Sequence, residues 1–207
     1  PLPARSEEER KPYFSPEPRA RFEKHEYREI LQKEVPALIG ASEEAGLVLL
    51  CELLDKAIEL SRYKDDESSD DYSYIWCRDI SNRKDPRIYH LEELLAYAIR
   101  DAVLQLVQQE PSRMPSLIQL LEARRWSIYQ RIVLFLLRES KNATPDLVAS
   151  HLTNKALFEE HRLWREFSAL LHDRFAALSP ENRETILGWM KVGPDQHQEP
   201  NPQRLEV

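Results

Sequence analysis

Cys77 combines a residue type and neighbours that could support catalysis. It lies in the stretch YSYIWCRDI beside Arg78, and a neighbouring cation favours the reactive thiolate over the thiol. A catalytic cysteine also needs a base, and the nearest histidine, His90, follows thirteen residues later without a recognisable motif around it. We therefore interpret Cys77 as a partly buried structural residue. A catalytic or regulatory enzyme site near Cys77 is the alternative.

Three arginines recur every seven residues along the most apolar part of the chain, namely Arg124, Arg131 and Arg138. This spacing places them on one stripe of a helix, where they could grip an acidic protein or a phosphate backbone. The whole chain has a formal net charge of -7, which disfavours nucleic-acid binding as its main task. We expect ion pairs within the protein to be the commoner use of these arginines. Nucleic-acid contact through the three of them is a further alternative.

The sequence carries no motif that would hold a metal ion, a cofactor or a phosphate group. His151 and His161 each lack a second ligand at the three- or four-residue spacing that places two ligands on one helical face. The acidic run KDDESSDD, residues 64–71, lacks the central glycine and the distal glutamate of a calcium-binding loop. No G-x-S-x-G or H-E-x-x-H motif occurs. We expect no metal, no cofactor and no catalytic residue in this chain alone.

The composition is typical of a helical domain. The chain has 207 residues with 42% hydrophobic content, which is enough to bury a sizeable core. Its 4 glycines against 14 prolines argue against hairpin-rich β folds and phosphate-cradling loops. Cys51 lies in the apolar run LVLLCELL, so we expect no disulfide framework, as in a reducing cytoplasm. No apolar run is long enough to span a membrane, and we expect a cytoplasmic location without a membrane partner.

Apolar periodicity predicts eight or nine helices joined by short loops, and no strands. The strongest pattern covers residues 91–109, and the most apolar helix, 125–140, should lie at the centre of the fold. A break at Pro36 and Gly40 should precede a helix over 42–63 with Ser42 as its N-cap. The other predicted helices cover residues 22–35, 72–85, 115–123, 144–152, 161–178 and 179–192.

An irregular α-solenoid-like array of antiparallel helix pairs suits this pattern better than a four-helix bundle. Residues 1–20 are rich in proline and should be extended or disordered, and residues 21–195 should form a single helical domain. Residues 196–207 should form a disordered tail, whose last three residues match the start of a common protease-site linker. The chain begins with proline rather than methionine, which suggests a fragment of a larger protein.

Three sequence segments form a recognisable set: YSYIWCRDI, then HLEELLAYAIRDAVLQLV, then WSIYQRIVLFLLRES followed by HRLWREFSALLHDRFAALSPENRETILGWMKVGP. Together they resemble a helical region of very large bacterial multidomain proteins, among them STAND-class NTPases associated with anti-phage defence. The resemblance covers roughly residues 70–195. Its positions in this chain are Trp76 and Arg78, Arg100 and Asp101, Arg131, and Trp189 with Gly193 and Pro194. Cys77 separates Trp76 from Arg78, where the pattern has the two adjacent. The resemblance implies a framework that senses or holds another protein.

These observations favour a non-catalytic helical module that binds protein, either another domain of a parent chain or a foreign ligand. Aromatic and arginine side chains dominate the binding energy of protein interfaces. The candidate partner-binding residues are Arg124, Arg131, Arg138, Trp164 and Trp189, with Tyr63 and Tyr72 as further aromatic candidates. The pattern leaves the oligomeric state open.

The segment after the acidic run is expected to be a structural joint. Trp76 should fill the seam between the helix that contains Cys51 and the helix over residues 91–109. A charge on this segment should pair across the seam with a charge on the long helix. The residues of this expected pairing are Arg78 or Asp79 on one side and Arg100 or Asp101 on the other.

Overall fold

The computed structural model describes residues 23–62, 70–81 and 90–192. Every regular element within these residues is a helix, so the all-α prediction is confirmed. The chain forms two compact units, Pro1–Gln109 and Glu110–Val207. The predicted N-terminal segment 1–20 and the predicted tail 196–207 lie outside the described residues. The single domain over 21–195 and the solenoid-like arrangement stay predictions.

The first unit contains three helices within its described residues: α1 (Lys24–Ser61), α2 (Ser73–Trp76) and α3 (Leu91–Gln109). α3 has the bounds that its apolar periodicity predicts, and it packs mainly against α1. The fully buried side chains between them include Leu47, Leu50, Leu54 and Ile58 of α1 and Ile99, Val103 and Leu106 of α3. Burial of these two apolar faces supplies the core of the unit.

α1 consists of two helical segments that meet at one sharp turn. The turn lies at Glu43, whose φ of 49° and ψ of -120° are usual for glycine in a type II′ turn and rare for other residues. The predicted break at Pro36 and Gly40 is therefore wrong. Pro36 lies within helical backbone on an exposed position, where water can reach the carbonyl that proline leaves without a donor. The predicted N-cap is also wrong, because the Ser42 hydroxyl donates to the Leu38 carbonyl at 2.6 Å.

Gly46 allows the two segments of α1 to approach each other at this turn. A Cβ atom at position 46 would lie 2.6 Å from Ser42 Oγ and 3.2 Å from Ile39 Cδ1, both in the first segment. Around Gly40, by contrast, such a Cβ would meet nothing within 4 Å apart from its chain neighbours and the backbone of its own helix. The close approach therefore requires glycine at position 46 and not at position 40.

Replacing Glu43 by glycine is expected to raise the free energy of unfolding by about 1 kcal/mol. A positive φ costs a residue with a Cβ atom about 1 to 3 kcal/mol, and the greater unfolded-state entropy of glycine cancels part of the gain. Urea unfolding followed by far-UV circular dichroism measures the change. As a control, Glu52→Gly in the exposed interior of the second segment should lower the same free energy by about 0.5 to 1 kcal/mol. Equal losses in both variants would show that Glu43 is not strained.

The second unit contains six α-helices over residues 110–192. They are α4 (Met114–Glu122), α5 (Ser127–Glu139), α6 (Pro145–Leu152), α7 (Lys155–Glu159), α8 (Trp164–Arg174) and α9 (Pro180–Val192). α6 begins as its sequence predicts, because the Thr144 side chain accepts a hydrogen bond from the Leu147 amide at 3.3 Å. α7 is a separate short helix that the apolar pattern did not predict.

α5 lies at the centre of the second unit, as its apolar sequence predicts. Between Ser127 and Leu137 every side chain except that of Gln130 is buried. The helix contacts α4, α6 and α8, so that neighbours cover it on several sides.

α5 and α8 run parallel and in register. Arg131 of α5 pairs with Glu166 of α8, and Arg138 of α5 pairs with Asp173 of α8. Both pairs join residues 35 positions apart, so the two helices advance in the same direction. Arg174 adds a third contact, because its Nη2 donates to the Arg138 carbonyl at 2.8 Å. The two helices are not consecutive in the chain, so their parallel direction does not test the antiparallel pairing of successive helices that the sequence predicts.

Candidate protein-interaction site

Two side chains of α3 hold the main chain of the segment that follows α2. The Tyr97 hydroxyl lies 3.0 Å from the Asp79 carbonyl oxygen and 3.1 Å from Glu93 Oε1, so these two acceptors share its one proton, and Arg100 Nη1 donates to the Ile80 carbonyl. The Arg100 guanidinium is buried and also donates to Asp101 Oδ1 from Nε at 3.0 Å and from Nη2 at 2.8 Å. One charged and one neutral side chain of α3 thus hold two successive carbonyls of the segment, which makes this segment a joint.

The structure places the predicted joint residues differently from the expectation. α3 binds main-chain carbonyls of the segment, and the Arg100 guanidinium also pairs with Asp101, its neighbour on α3. Arg78 is exposed. Trp76 is only half-buried, because its indole N–H turns back to donate to the Asp71 carbonyl at 2.7 Å. Trp76 is therefore not the fully buried side chain that the seam-filling expectation implies.

Cys77 and Ile80 are the buried apolar side chains of this segment. Both are almost completely inaccessible to solvent. The Tyr97 hydroxyl lies in the same surroundings, and burial, followed by the nearby Cys77 and Glu93, raises the pKa of the Tyr97 phenol far above its usual value. Tyr97 therefore keeps its proton, which the Asp79 carbonyl and the Glu93 carboxylate share as acceptors.

Side-chain caps fold residues 70–77 into a compact turn. Asp70 Oδ1 accepts from the Tyr72 amide at 2.8 Å, and Asp71 Oδ1 accepts from the Ser73 amide at 2.9 Å. The Cys77 amide closes the turn by donating to the Ser73 carbonyl at 2.8 Å. Both aspartates use the short-range bond by which Asx residues initiate turns. Main-chain groups at both ends of the segment are thereby fixed.

The same turn presents three large apolar side chains to solvent. Tyr72 is 38% exposed, Tyr74 39% and Ile75 56%, and the two tyrosine rings are 6.4 Å apart. Tyr72 has a φ of 52°, in the left-handed region that a bulky residue rarely occupies. We call residues 70–77 with these three side chains the aromatic turn. Local hydrogen bonds hold its backbone, and its apolar surface is exposed.

The three arginines do not form one exposed stripe, so the expectation of a shared partner-binding surface is wrong. Arg131 is buried, and its Nε and Nη2 bind the two Glu166 carboxylate oxygens at 3.0 and 2.7 Å. Arg138 is half-buried and donates to Asp173, and Arg124 is half-buried as well. The seven-residue spacing of Arg131 and Arg138 matches that of Glu166 and Asp173, so both arginines form ion pairs with α8.

The two candidate tryptophans of the second unit differ in exposure. Trp164, at the start of α8, is 57% exposed. Trp189 of α9 is half-buried and packs against Phe158 in a tilted arrangement, with ring centroids 5.3 Å apart. Trp164 therefore remains a candidate partner-binding residue, whereas the Trp189 side chain packs α9 against Phe158. Tyr63, Gly193 and Pro194 lie outside the described residues.

The described residues provide no geometry for catalysis at Cys77. Its side chain is buried, and His90 is exposed at the start of α3. The first unit has a cavity of about 60 Å³ between α1 and α3, and neither residue lines it. Its polar lining residues include Arg28, Gln32 and Asp101. Throughout residues 23–62, 70–81 and 90–192, no three metal-ligating side chains cluster.

Tyr74 and Ile75 were missed as candidates from the sequence. The signal was present, because Asp70 and Asp71 lie a few residues before them and aspartate often caps the amide two residues on. α2 has only four residues, and so short a helix cannot bury the side chains on all of its faces. A capped turn with consecutive apolar residues therefore leaves some of them exposed.

Comparison with known protein families, curated proteins and solved structures finds no match to this chain. Within the part of the chain that the structure describes, no helix is both long and apolar enough to cross a membrane.

Proposed function

We propose that this chain is a non-catalytic helical module that binds another protein through the aromatic turn. The observation that carries the proposal is the contrast between a fixed backbone and exposed side chains. Asp70 and Asp71 cap the turn, α3 holds the segment that follows it, and Tyr72, Tyr74 and Ile75 stay in solvent.

Rigid exposed aromatics suit protein recognition for two physical reasons. Tyrosine offers a large contact area and a polar hydroxyl at a low cost in side-chain entropy, and it is enriched among residues that dominate binding. A backbone that is already ordered loses little further entropy when the partner binds. The left-handed Tyr72 adds to this argument, since strained backbone positions tend to occur at functional sites.

The resemblance to helical regions of large bacterial multidomain proteins agrees with this role. In such a setting the partner is another domain of the parent chain or a foreign protein that the parent senses. Trp164, exposed on the second unit, is a second candidate contact for the same task. Among the alternatives, the burial of Cys77 and of Arg131 speaks against a thiol site and against a nucleic-acid stripe.

Affinity capture with the full chain tests the proposal. The turn variant combines Tyr72→Asn with Ile75→Ser, because asparagine tolerates the left-handed backbone while both large side chains are lost. We expect wild type to retain one specific protein from bacterial and phage lysates, and the turn variant to bind that purified protein at least about tenfold more weakly.

The matched control is Leu187→Ser with Met190→Ser, which removes two apolar side chains of similar exposure from α9. The control should bind the captured protein as tightly as wild type, and all three proteins should have the same circular dichroism spectrum. Equal binding by the turn variant, or capture of no specific protein by wild type, would contradict the proposal.

A further inference from the structure

The second segment of α1 carries leucines on two opposite faces. Leu47, Leu50, Leu54 and Ile58 are buried against the core of the first unit. Leu49, Leu53 and Leu60 lie on the other side of the same segment and are 46%, 48% and 51% exposed. A helix of one compact unit normally has one apolar face, so the second face requires an explanation of its own.

The exposed leucines form a continuous stripe at helical spacing. Leu49, Leu53 and Leu60 are separated by four and seven residues, and Lys56 occupies the position between Leu53 and Leu60 on the same stripe. We call these four residues the leucine stripe. Lys56 Nζ lies 3.2 Å from Glu59 Oε2 on the same helix, and Glu52 is exposed one turn before Lys56. The leucine stripe is thus an apolar surface that contains one cation, Lys56, and has the carboxylates of Glu52 and Glu59 along one edge.

We infer that the leucine stripe is the interface of a two-fold antiparallel dimer of this chain. The charges select both the partner and its direction. If two copies packed parallel, Lys56 would face Lys56 of the second copy, and like charges would repel. If they pack antiparallel with Leu49 opposite Leu60 of the second copy, Lys56 packs its stem on Leu53 of that copy. Its ammonium group then reaches Glu52 of the second copy.

The antiparallel arrangement is self-complementary, as a two-fold interface must be. Each copy contributes one lysine and one glutamate to two equivalent cross-pairs, so no separate partner is needed to match the stripe. The cross-pairs lie at the rim of the leucine seam, where they fix register more than they add affinity. This surface belongs to α1 and is independent of the aromatic turn.

The size of the surface predicts weak association. The second segment, residues 44–61, is about 27 Å long at 1.5 Å per residue. One helix pair of this length buries less than the roughly 800 Å² per partner of a standard stable interface. We therefore expect a dissociation constant on the order of micromolar to tens of micromolar.

Sedimentation velocity of the full chain over about 1 to 500 µM tests the inference, since this range spans the expected dissociation constant. Wild type should shift from monomer to dimer within the range, and Leu53→Asp should stay monomeric. Lys56→Glu and Glu52→Lys should each weaken the dimer at least about fivefold, because each places like charges together twice. The double variant, Lys56→Glu with Glu52→Lys, should restore association to within about twofold of wild type because it exchanges the two charges.

Lys155→Glu is the matched control, because Lys155 of α7 is also exposed and pairs with a glutamate on its own helix. It should leave the monomer-dimer equilibrium unchanged. Circular dichroism confirms folding of every variant. A wild type that stays monomeric throughout, or a dimer that survives Leu53→Asp, would overturn the interface. A double variant as weak as the single variants would overturn the antiparallel register.

Discussion

Arg131→Met is expected to lower the free energy of unfolding of the second unit by about 3 to 5 kcal/mol. The Arg131 and Glu166 side chains are only 1% and 5% exposed, and the bidentate pair satisfies both carboxylate oxygens. Methionine would leave the Glu166 carboxylate buried without its cation. Urea unfolding followed by tryptophan fluorescence measures the loss, since three of the four tryptophans, Trp126, Trp164 and Trp189, lie in this unit.

Arg138→Met is the matched control. Its pair with Asp173 joins the same two helices at the same offset of 35 residues, but the side chains are 32% and 37% exposed. The Arg138 guanidinium, and then His172, lower the pKa of Asp173, but solvent screens such a pair. We expect a loss below about 1 kcal/mol. Similar losses of unfolding free energy in Arg131→Met and Arg138→Met would show that burial of the ion pair does not determine its effect on stability.

The double variant Arg131→Met with Glu166→Leu removes both charges. It therefore separates the attraction between Arg131 and Glu166 from the cost of leaving the Glu166 carboxylate buried without a cation. Replacing a whole buried ion pair by apolar side chains is often close to neutral. We therefore expect the double variant to recover most of the stability that Arg131→Met loses. A double variant less stable than the single one would show that the pair itself supplies the stability.

Gly46→Ala is expected to lower the free energy of unfolding of the first unit by about 1 to 3 kcal/mol, the usual range for overpacking. The added methyl would lie 2.6 Å from Ser42 Oγ, which already donates to the Leu38 carbonyl and cannot turn away without losing that bond. Far-UV circular dichroism during urea unfolding measures the change. Ser42→Ala in the Gly46→Ala background removes the clashing oxygen and should recover part of the loss.

Gly40→Ala should have the opposite effect. Position 40 is exposed within the first segment of α1, and open space surrounds it. Alanine stabilises a helix interior by about 1 kcal/mol relative to glycine. The two glycines lie six residues apart on either side of the turn at Glu43, so opposite signs would locate the close approach of the chain at Gly46. A loss of stability in both variants would refute this assignment.

Local signals predicted the regular parts of the fold well. α3 has the predicted bounds of 91 and 109 because a wide apolar stripe specifies both its type and its length. The turn in α1 could not be predicted in the same way. It depends on contact between Gly46 and residues of the preceding segment, whereas the sequence offered Pro36 and Gly40 as the conventional breaks.

Side-chain roles depend on contacts between distant parts of the chain, so the sequence predicted them less well. The arginine spacing was visible, but the burial of Arg131 follows from Glu166, 35 residues away. The matching seven-residue spacing of Glu166 and Asp173 was the available clue to a parallel helix pair. The aromatic turn was hidden for a different reason: residue type alone does not show which face of a four-residue helix is exposed.

The register between α5 and α8 also limits how the second unit can change shape. Sliding of one helix past the other would separate Arg131 from Glu166 inside the core, and this needs several kcal/mol. Shear motion between these helices is therefore blocked, and we expect them to move as one rigid body. Any conformational change in the unit would then occur by hinge rotation in the segments around α6 and α7, which connect the two helices.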